Sequence, residues 1–498
     1  MLNIRTSVLL VSFFLTASGA AASDGQRIEL PFRQGMRMLI ENNLSVKVSR
    51  LDPRIAGARV LSAQGAFDPE FFGSFNRVEA SMPLSARSSV AAGGLRSVES
   101  ETYSFNIGIE GTTGLGTEYR FEVKDGWTAD TFSGFEFEYE SFSGVTVRQP
   151  LLKGFRNGDL LALNVALKDK TASEQRFRQI LSNALSEYSG AWWALMSARG
   201  GFEVRKESLQ LAETLLEVNR KKLEAGALSR LEVVQTESAT ASRREDLLVA
   251  QKNVQESQRR LKELIALDAF AMRDDELVPV GEGTLRPVAG GIKDAISKAL
   301  SVRPDYMELK TTLERERIVL KYRADQVWPE VDLEASYGFN GLGDSLSRSF
   351  SNIESSPVWS VGVVFSYPLG NRAASGELET ARLQAAQAVL NLKRLEQEIV
   401  FRLGGALEQL ETDLKRLEAA DVAVRLAEET LDAEEKKLEA GRSTTFNVLR
   451  IQEDLLLARL KRLDAVSDYN TSLVAFYREK GTLPEELGVR ITDMDEVE

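Results

Sequence analysis

The chain has 498 residues, 43% of them hydrophobic, and a formal net charge of −12 from 74 acidic and 62 basic side chains spread along its length. That length allows two or three ordinary domains or one elongated body, and the distributed acidic balance argues against nucleic acid as a partner. With no Cys and no His, disulfides, thiolate nucleophiles, histidine bases and the usual zinc or copper ligand sets are excluded, and much of enzyme chemistry with them; no catalytic residue, metal or cofactor is expected.

Residues 1–22 carry Arg5, an apolar run from Val8 to Leu15, and Ala20-Ala21-Ala22. Charged, apolar and small regions in that order form an export signal. No later stretch reaches the ~18–20 apolar residues that a membrane-spanning helix needs, so a membrane-embedded mature chain has to be a β-barrel. After the landmark Asp68-Pro69-Glu70, Tyr103, Phe105, Ile107 and Ile109, a turn at Gly111–Gly116, and Tyr119, Phe121 and Val123 read as a β-hairpin. The three glycines of that turn are not a phosphate loop, because no helix with Lys-Ser or Lys-Thr comes after them. Phe135, Phe137 and Tyr139 then alternate with Glu136, Glu138 and Glu140 as far as Val145 and Val147, ending at Gln149-Pro150-Leu151.

No proline occurs between Pro150 and Pro279. A helix is expected from an N-cap at Asn157 to Ala225, stopped by Gly226, with a returning helix over 231–266. At ~1.5 Å per residue the first is roughly 100 Å long, beyond what a globular domain holds. Trp192-Trp193, with Gly190, Gly200 and Gly201, falls inside it and reads as helix packing with a bend. The second half repeats the plan. Val331, Leu333, Ala335, Tyr337 and Phe339, then Trp359, Val361, Val363, Phe365 and Tyr367, alternate with polar or small residues over about ten positions each, the length of a tilted barrel strand. A second proline-free stretch runs from Pro368 to Pro484. It predicts helices over 371–440, capped by Asn371 and ended by Gly441, and over 446–477. Leu392, Leu395, Ile399, Leu403, Leu407, Leu410, Leu414 and Leu417 form one apolar seam on the first of these. The ending Asp493, Asp495, Glu496 and Glu498 reads as a solvated tail.

The halves are one unit written twice. Lys221-Lys222-Leu223-Glu224-Ala225-Gly226 recurs as Lys436-Lys437-Leu438-Glu439-Ala440-Gly441 at an offset of 215, Gln149-Pro150-Leu151 pairs with Tyr367-Pro368-Leu369, and Asp68-Pro69-Glu70 pairs with Trp328-Pro329-Glu330. Pro69 to Pro150 spans 81 residues and Pro329 to Pro368 only 39, so the first half holds 42 extra residues. They include the hairpin at about 103–124, and the insertion is expected to extend the mouth of a barrel while leaving the wall to four strands per chain.

Signal, strand pair, proline-led entry into a very long helix, Ala-Gly turn and returning helix, all but the first duplicated, resemble the TolC family of outer-membrane efflux proteins. The likeness extends from about Leu30 to Leu487 and rests on Gln149-Pro150-Leu151-Leu152, Leu223-Glu224-Ala225-Gly226 before Glu232-Val233-Val234, and Leu438-Glu439-Ala440-Gly441 before Asn447-Val448-Leu449. It implies an α+β membrane protein in which three copies close a twelve-stranded transmembrane barrel continuing into a long periplasmic α-helical barrel.

The resemblance also implies the layout: signal peptide at 1–22, periplasmic helices at 23–66 and 293–328, outer-membrane strands at 67–150 and 329–368. Long helical hairpins take 151–268 and 369–482, an equatorial linker 269–292 and the tail 483–498. Implied partners are two further copies, outer-membrane lipid, a periplasmic adaptor and, through it, an inner-membrane pump, in a tripartite efflux or type I secretion system. The adaptor would meet the turns Gly226-Ala227-Leu228-Ser229 and Gly441-Arg442-Ser443-Thr444. Glu232, Gln235, Asn447 and Arg450, six and nine places after each turn glycine, would line a periplasmic gate. Only Glu232 keeps the acidic character usual there, and an Arg450–Glu232 contact would close neighbouring hairpins. Two rivals are a secreted coiled-coil scaffold or adhesin, which has no use for aromatic strands in both halves, and a hydrolase working through paired carboxylates, for which no compact catalytic domain is visible.

Overall fold

A computed structural model describes residues 27–131, 138–155, 160–265, 274–281, 285, 287–288, 290–353 and 356–489. The readings at 1–22, Phe135, Phe137, Asn157 and the tail from Asp493 lie outside them. In chain order the elements are β1 (Arg27–Pro31), α1 (Phe32–Asn42), α2 (Leu44–Gln64), β2 (Glu70–Pro83), α3 (Ala86–Ala91), β3 (Ser97–Thr112), β4 (Glu118–Asp130) and β5 (Glu138–Pro150). Then come α4 (Leu160–Glu224), α5 (Arg230–Ile265), β6 (Glu276–Val280), α6 (Ile292–Val302), α7 (Pro304–Asp325) and β7 (Glu330–Gly343). The chain ends with α8 (Leu346–Ser351), β8 (Ser356–Ser366), α9 (Arg372–Glu439), α10 (Thr445–Lys480) and α11 (Leu483–Glu486). Helix pair, strands, long helix, short turn and returning helix thus occur twice. The four long helices lie within a few residues of their sequence-predicted bounds, because Ala, Leu, Glu and Lys dominate both proline-free stretches.

Two compact units divide the chain. One comprises Met1–Lys47, Asn183–Val288 and Leu407–Phe476. Its core gathers where β1 pairs in parallel with β6, Ile28 opposite Leu277. Trp192 crosses Phe32 edge-on at 5.3 Å, and the Tyr188 hydroxyl donates to the Phe32 carbonyl at 2.7 Å. Trp192 and Tyr188 are fully buried. A Cβ at Gly35 would stand 2.2 Å from the Tyr188 oxygen, so glycine alone lets α1 approach that ring. The tryptophan pair is therefore packing, as its sequence context indicated, and α4 continues unbroken through Gly190, Gly200 and Gly201.

The α9 seam departs from its expected course. Ile399, Leu403 and Leu410 are buried, but Leu414 is 41% exposed and Asp413 takes the inward position. Asp413 accepts from Ser472 Oγ at 2.6 Å, Gln409 at 2.9 Å and Arg416 at 2.9 Å. Burial pushes this carboxyl up, yet those hydrogen bonds outweigh it and hold it below the ordinary aspartate value. A leucine tally registers period and cannot see a carboxylate that finds three donors.

The second unit, Val48–Ser182, Ala289–Ala406 and Tyr477–Glu498, contains a six-stranded antiparallel sheet in the order β2-β3-β4-β5-β7-β8. The inserted hairpin is β3 and β4, and its place corrects the expectation that it would extend the barrel mouth outside a four-strand wall. It stands inside the sheet, with Glu70–Pro83 paired along β3 and Glu118–Thr128 paired along β5. Both its strands are as long as their neighbours and alternate in step with them, so full-length ladders form on either side. Asn371 also differs from its sequence reading. It holds a positive φ of 35°, and its side chain donates to the Val327 carbonyl at 2.9 Å instead of capping α9.

Candidate functional site

Residues opposite one another in an antiparallel ladder share a face, so the register sorts the whole sheet. One face carries Phe71 and Phe75 on β2, Phe105, Ile107 and Ile109 on β3, and Phe121 and Val123 on β4. It continues through Val145 and Val147 on β5, Leu333, Tyr337 and Phe339 on β7, and Val361, Val363 and Phe365 on β8. Phe71, Phe75, Trp359, Val363 and Phe365 are each more than 60% exposed. A continuous open band of this kind exceeds what a water-soluble surface tolerates and matches the lipid face of a transmembrane barrel. Phe75, Tyr103, Trp127 and Tyr139 make a row across four strands, Tyr103 stacked on Trp127 at 5.1 Å and Trp127 on Tyr139 at 5.6 Å. Such aromatic rows sit at membrane–water boundaries.

The opposite face is mixed, with Phe72, Phe142 and Val364 among its polar and charged side chains. Asn106, Arg120, Glu122, Lys124, Arg148, Asp332 and Glu334 lie there. Arg148 on β5 reaches Asp332 at 2.5 Å, Glu330 at 3.0 Å, Glu118 at 3.6 Å and Glu334 at 3.7 Å, crosslinking β4, β5 and β7 at the end where the strands meet the helices. Beyond the aromatic row the apolar face turns charged, with Arg77 and Glu79 on β2 and Glu99 and Glu101 on β3, and beside the row a further carboxylate falls on it. Asp125 is buried and accepts from Ser141 at 2.5 Å and Ser349 at 3.2 Å. Ser349 belongs to α8, which lies so close over Gly341 and Gly343 that a Cβ on either would collide with its backbone. Two glycines thus admit the helix that covers the charge.

The hairpin turns were legible in sequence. Gly226 and Gly441 have φ of 72° and 68°, the left-handed conformation that favours glycine. Ala227 N–H donates to Lys222 O and Arg442 N–H to Lys437 O, both at 2.8 Å, while Gly226 and Gly441 bond back to Leu223 and Leu438. Both tips are therefore Schellman caps. Ala227, Ser229, Arg442 and Thr444 are exposed, and Leu228 and Ser443 are half-buried.

Beyond the turns the tips diverge. Ser229 and Glu232 form a capping box, the carboxylate accepting from Ser229 N at 3.2 Å and Oγ at 3.0 Å. In the second tip Thr444 Oγ1 accepts from Asn447 N at 3.4 Å, and Ser443 donates to Glu434 at 2.5 Å. The Ser443 hydrogen bond, with Lys437 and then the nearby Arg450, holds the Glu434 carboxyl below the usual range. Within one chain Glu232 and Arg450 therefore face different partners, and Gln235 and Arg450 point into solvent while Asn447 is half-buried.

Sequence reasoning missed Arg243. It is 4% exposed on α5 and donates to Ser208 O at 3.1 Å, Gln452 Oε1 at 3.1 Å and Leu449 O at 3.4 Å. It thereby ties both helices of the first hairpin to α10 of the second, and burial lowers its affinity for the proton. The signal was present: Val233, Thr236, Thr240, Arg243 and Ala250 share one helical stripe and are all buried. Among the described residues no group of three or more acidic side chains is placed to hold a metal ion, and no helix is long and apolar enough to cross a membrane.

Similar proteins share this architecture. The Campylobacter jejuni CmeC outer membrane channel superposes with a TM-score of 0.63 at 15% identity, covering 93% of this chain and 90% of its own. The Vibrio cholerae outer membrane protein VceC gives 0.64 at 16% identity, covering 90% and 96%. Among curated relatives, the outer membrane efflux protein BepC of Brucella suis is 21% identical over 70% of this chain and 74% of its own length. The alkaline protease secretion protein AprF of Pseudomonas aeruginosa is 23% identical over 77% and 76%. The profile described as "Outer membrane efflux protein" matches residues 120–267 and 295–482. Because that match takes in β5 and the helical hairpin of the first repeat and β7, β8 and the helical hairpin of the second, the chain belongs to the outer membrane efflux protein family.

Proposed function

We propose that this outer-membrane exit duct works as a homotrimer without catalysing a reaction. Three sheets close one barrel in the outer membrane, and the helical hairpins extend it into the periplasm as a tunnel. The turns at Gly226–Ser229 and Gly441–Thr444 dock on a periplasmic adaptor coupled to an inner-membrane pump, in an efflux or type I secretion assembly. Glu232, Gln235, Asn447 and Arg450 line the gate. One observation carries this reading: the sheet has an apolar face through all six strands and two unpaired edges, β2 and β8. In lipid each unsatisfied backbone group costs several kcal/mol, so a single copy cannot remain there. The detergent-solubilised protein should have the mass of three chains by light scattering or native mass spectrometry. A stable membrane-embedded monomer would defeat the reading.

A further inference from the structure

The hairpin β3–β4 does more than lengthen a loop. β2 pairs with β3 from Glu70 to Pro83, β3 with β4 from Ser100 to Thr112, and β4 with β5 from Glu118 to Thr128. A hairpin standing on a rim would touch its neighbours at one end only. Its residues also continue both faces: Phe105, Ile107 and Phe121 extend the apolar band, and Asn106, Arg120 and Lys124 the opposite face. At the helix-facing end its turn is fitted into the junction of β5 and α4. Thr117 donates to Gln149 at 2.5 Å, and a Cβ at Gly116 would stand 3.0 Å from the Gly154 carbonyl oxygen.

We propose that three copies close an eighteen-stranded barrel in which β8 of each copy runs antiparallel to β2 of the next; this rests on the trimeric duct reading. Strand direction permits it. Six alternating strands leave β2 and β8 pointing opposite ways, so the joint between copies repeats the geometry of every joint within one. Face parity permits it too, since Phe71 and Phe75 on β2 and Trp359, Val361 and Val363 on β8 lie on the same side of the sheet.

The occupant of the β8 edge is a second copy because that edge carries none of the charge that usually discourages pairing. Its 11 residues, SPVWSVGVVFS, are uncharged and exposed throughout, and Pro357 stands at the second position, leaving the rest of the strand free to pair, whereas solvent-facing edges are usually blunted by charged residues, prolines or bulges along the strand. With strands ~4.8 Å apart and tilted by ~40°, eighteen strands give a backbone diameter of about 36 Å against about 24 Å for twelve. At that width side chains no longer fill the interior. The wall then forms a water-filled mouth lined by Arg120, Glu122, Lys124 and Arg148, and selection of cargo falls to the periplasmic end.

The chain has no cysteine, so introduced pairs report strand neighbours without background. Ser74→Cys with Asn106→Cys, opposite one another on β2 and β3, should form a disulfide within one chain. Ser360→Cys on β8, combined in turn with Ser74→Cys, Asn76→Cys or Val78→Cys, should yield covalent dimers and trimers on denaturing gels. Ser74→Cys with Thr146→Cys on β5 should stay reduced, since β3 and β4 separate them. Electron microscopy of the purified trimer should show a barrel about 36 Å across. A trimer about 24 Å across with a Ser74–Thr146 crosslink would overturn the eighteen-strand wall and leave the duct standing. A monomer would sink both.

Discussion

Arg303 is a buried cation held wholly by its own unit. Its guanidinium donates to Asp305 at 2.7 and 3.0 Å, and to the Glu479 carboxylate at 2.8 Å and backbone carbonyl at 2.6 Å. Gly481, with φ of 79°, packs against it so closely that a Cβ would come within 2.8 Å of the arginine Cγ, so the turn after α10 is built around this side chain. Burial raises the Glu479 carboxyl, but the Arg303 hydrogen bond and charge outweigh it and hold it below its ordinary value of 4.5. A depressed carboxyl contributes stability that is full above its unfolded pKa and is lost as pH falls through the lower folded value. Arg303→Met takes the buried cation from that carboxylate, leaving it the more exposed Arg478 at 3.0 Å, and should cost about 3 kcal/mol. Thermal melts followed by helical circular dichroism should show a lower midpoint at pH 7, with the gap to wild type narrowing as pH falls below the ordinary glutamate value of 4.5 and Glu479 takes up its proton.

At the scale of elements, the two hairpin tips share a turn and differ in how the returning helix is capped. Glu232 serves two ends, the cap of α5 and the proposed gate, and these separate by substitution. Glu232→Gln keeps the side-chain acceptor of the capping box and removes the charge. Ser229→Ala removes the cap, at about 1 kcal/mol, and keeps the charge. If carboxylates and guanidinium groups from neighbouring hairpins pair around the constriction, each exposed pair contributes about 1 kcal/mol or less. Single-channel conductance should then rise in Glu232→Gln and in Arg450→Ala, with the double variant adding little because one pair is broken either way. Ser229→Ala should conduct like wild type. Unchanged conductance in Glu232→Gln, Arg450→Ala and their double variant would remove these residues from the gate.

For the whole molecule, the open apolar band decides how the protein behaves outside its membrane. Phe71, Phe75, Trp359 and Phe365 are exposed on one side of a sheet, and salt does not weaken the burial of such surface. Membrane fractions should therefore retain the protein through a high-salt wash and release it to detergent, whereas release by salt would indicate a peripheral scaffold. The sequence by itself determined the duplicated plan, the four long helices and both glycine turns, since each arises from local rules: proline exclusion, helix propensity, and the left-handed φ that Gly226 and Gly441 adopt. It also showed that a hairpin is inserted before β5, because alternation with period two is local as well. Only the tertiary structure placed that hairpin between β2 and β5, moved Asp413 into the seam where Leu414 was expected, and buried Arg243 against Ser208, Leu449 and Gln452. Strand order and the partners of a buried charge depend on residues far apart in the chain, and periodicity carries no record of which distant segments meet.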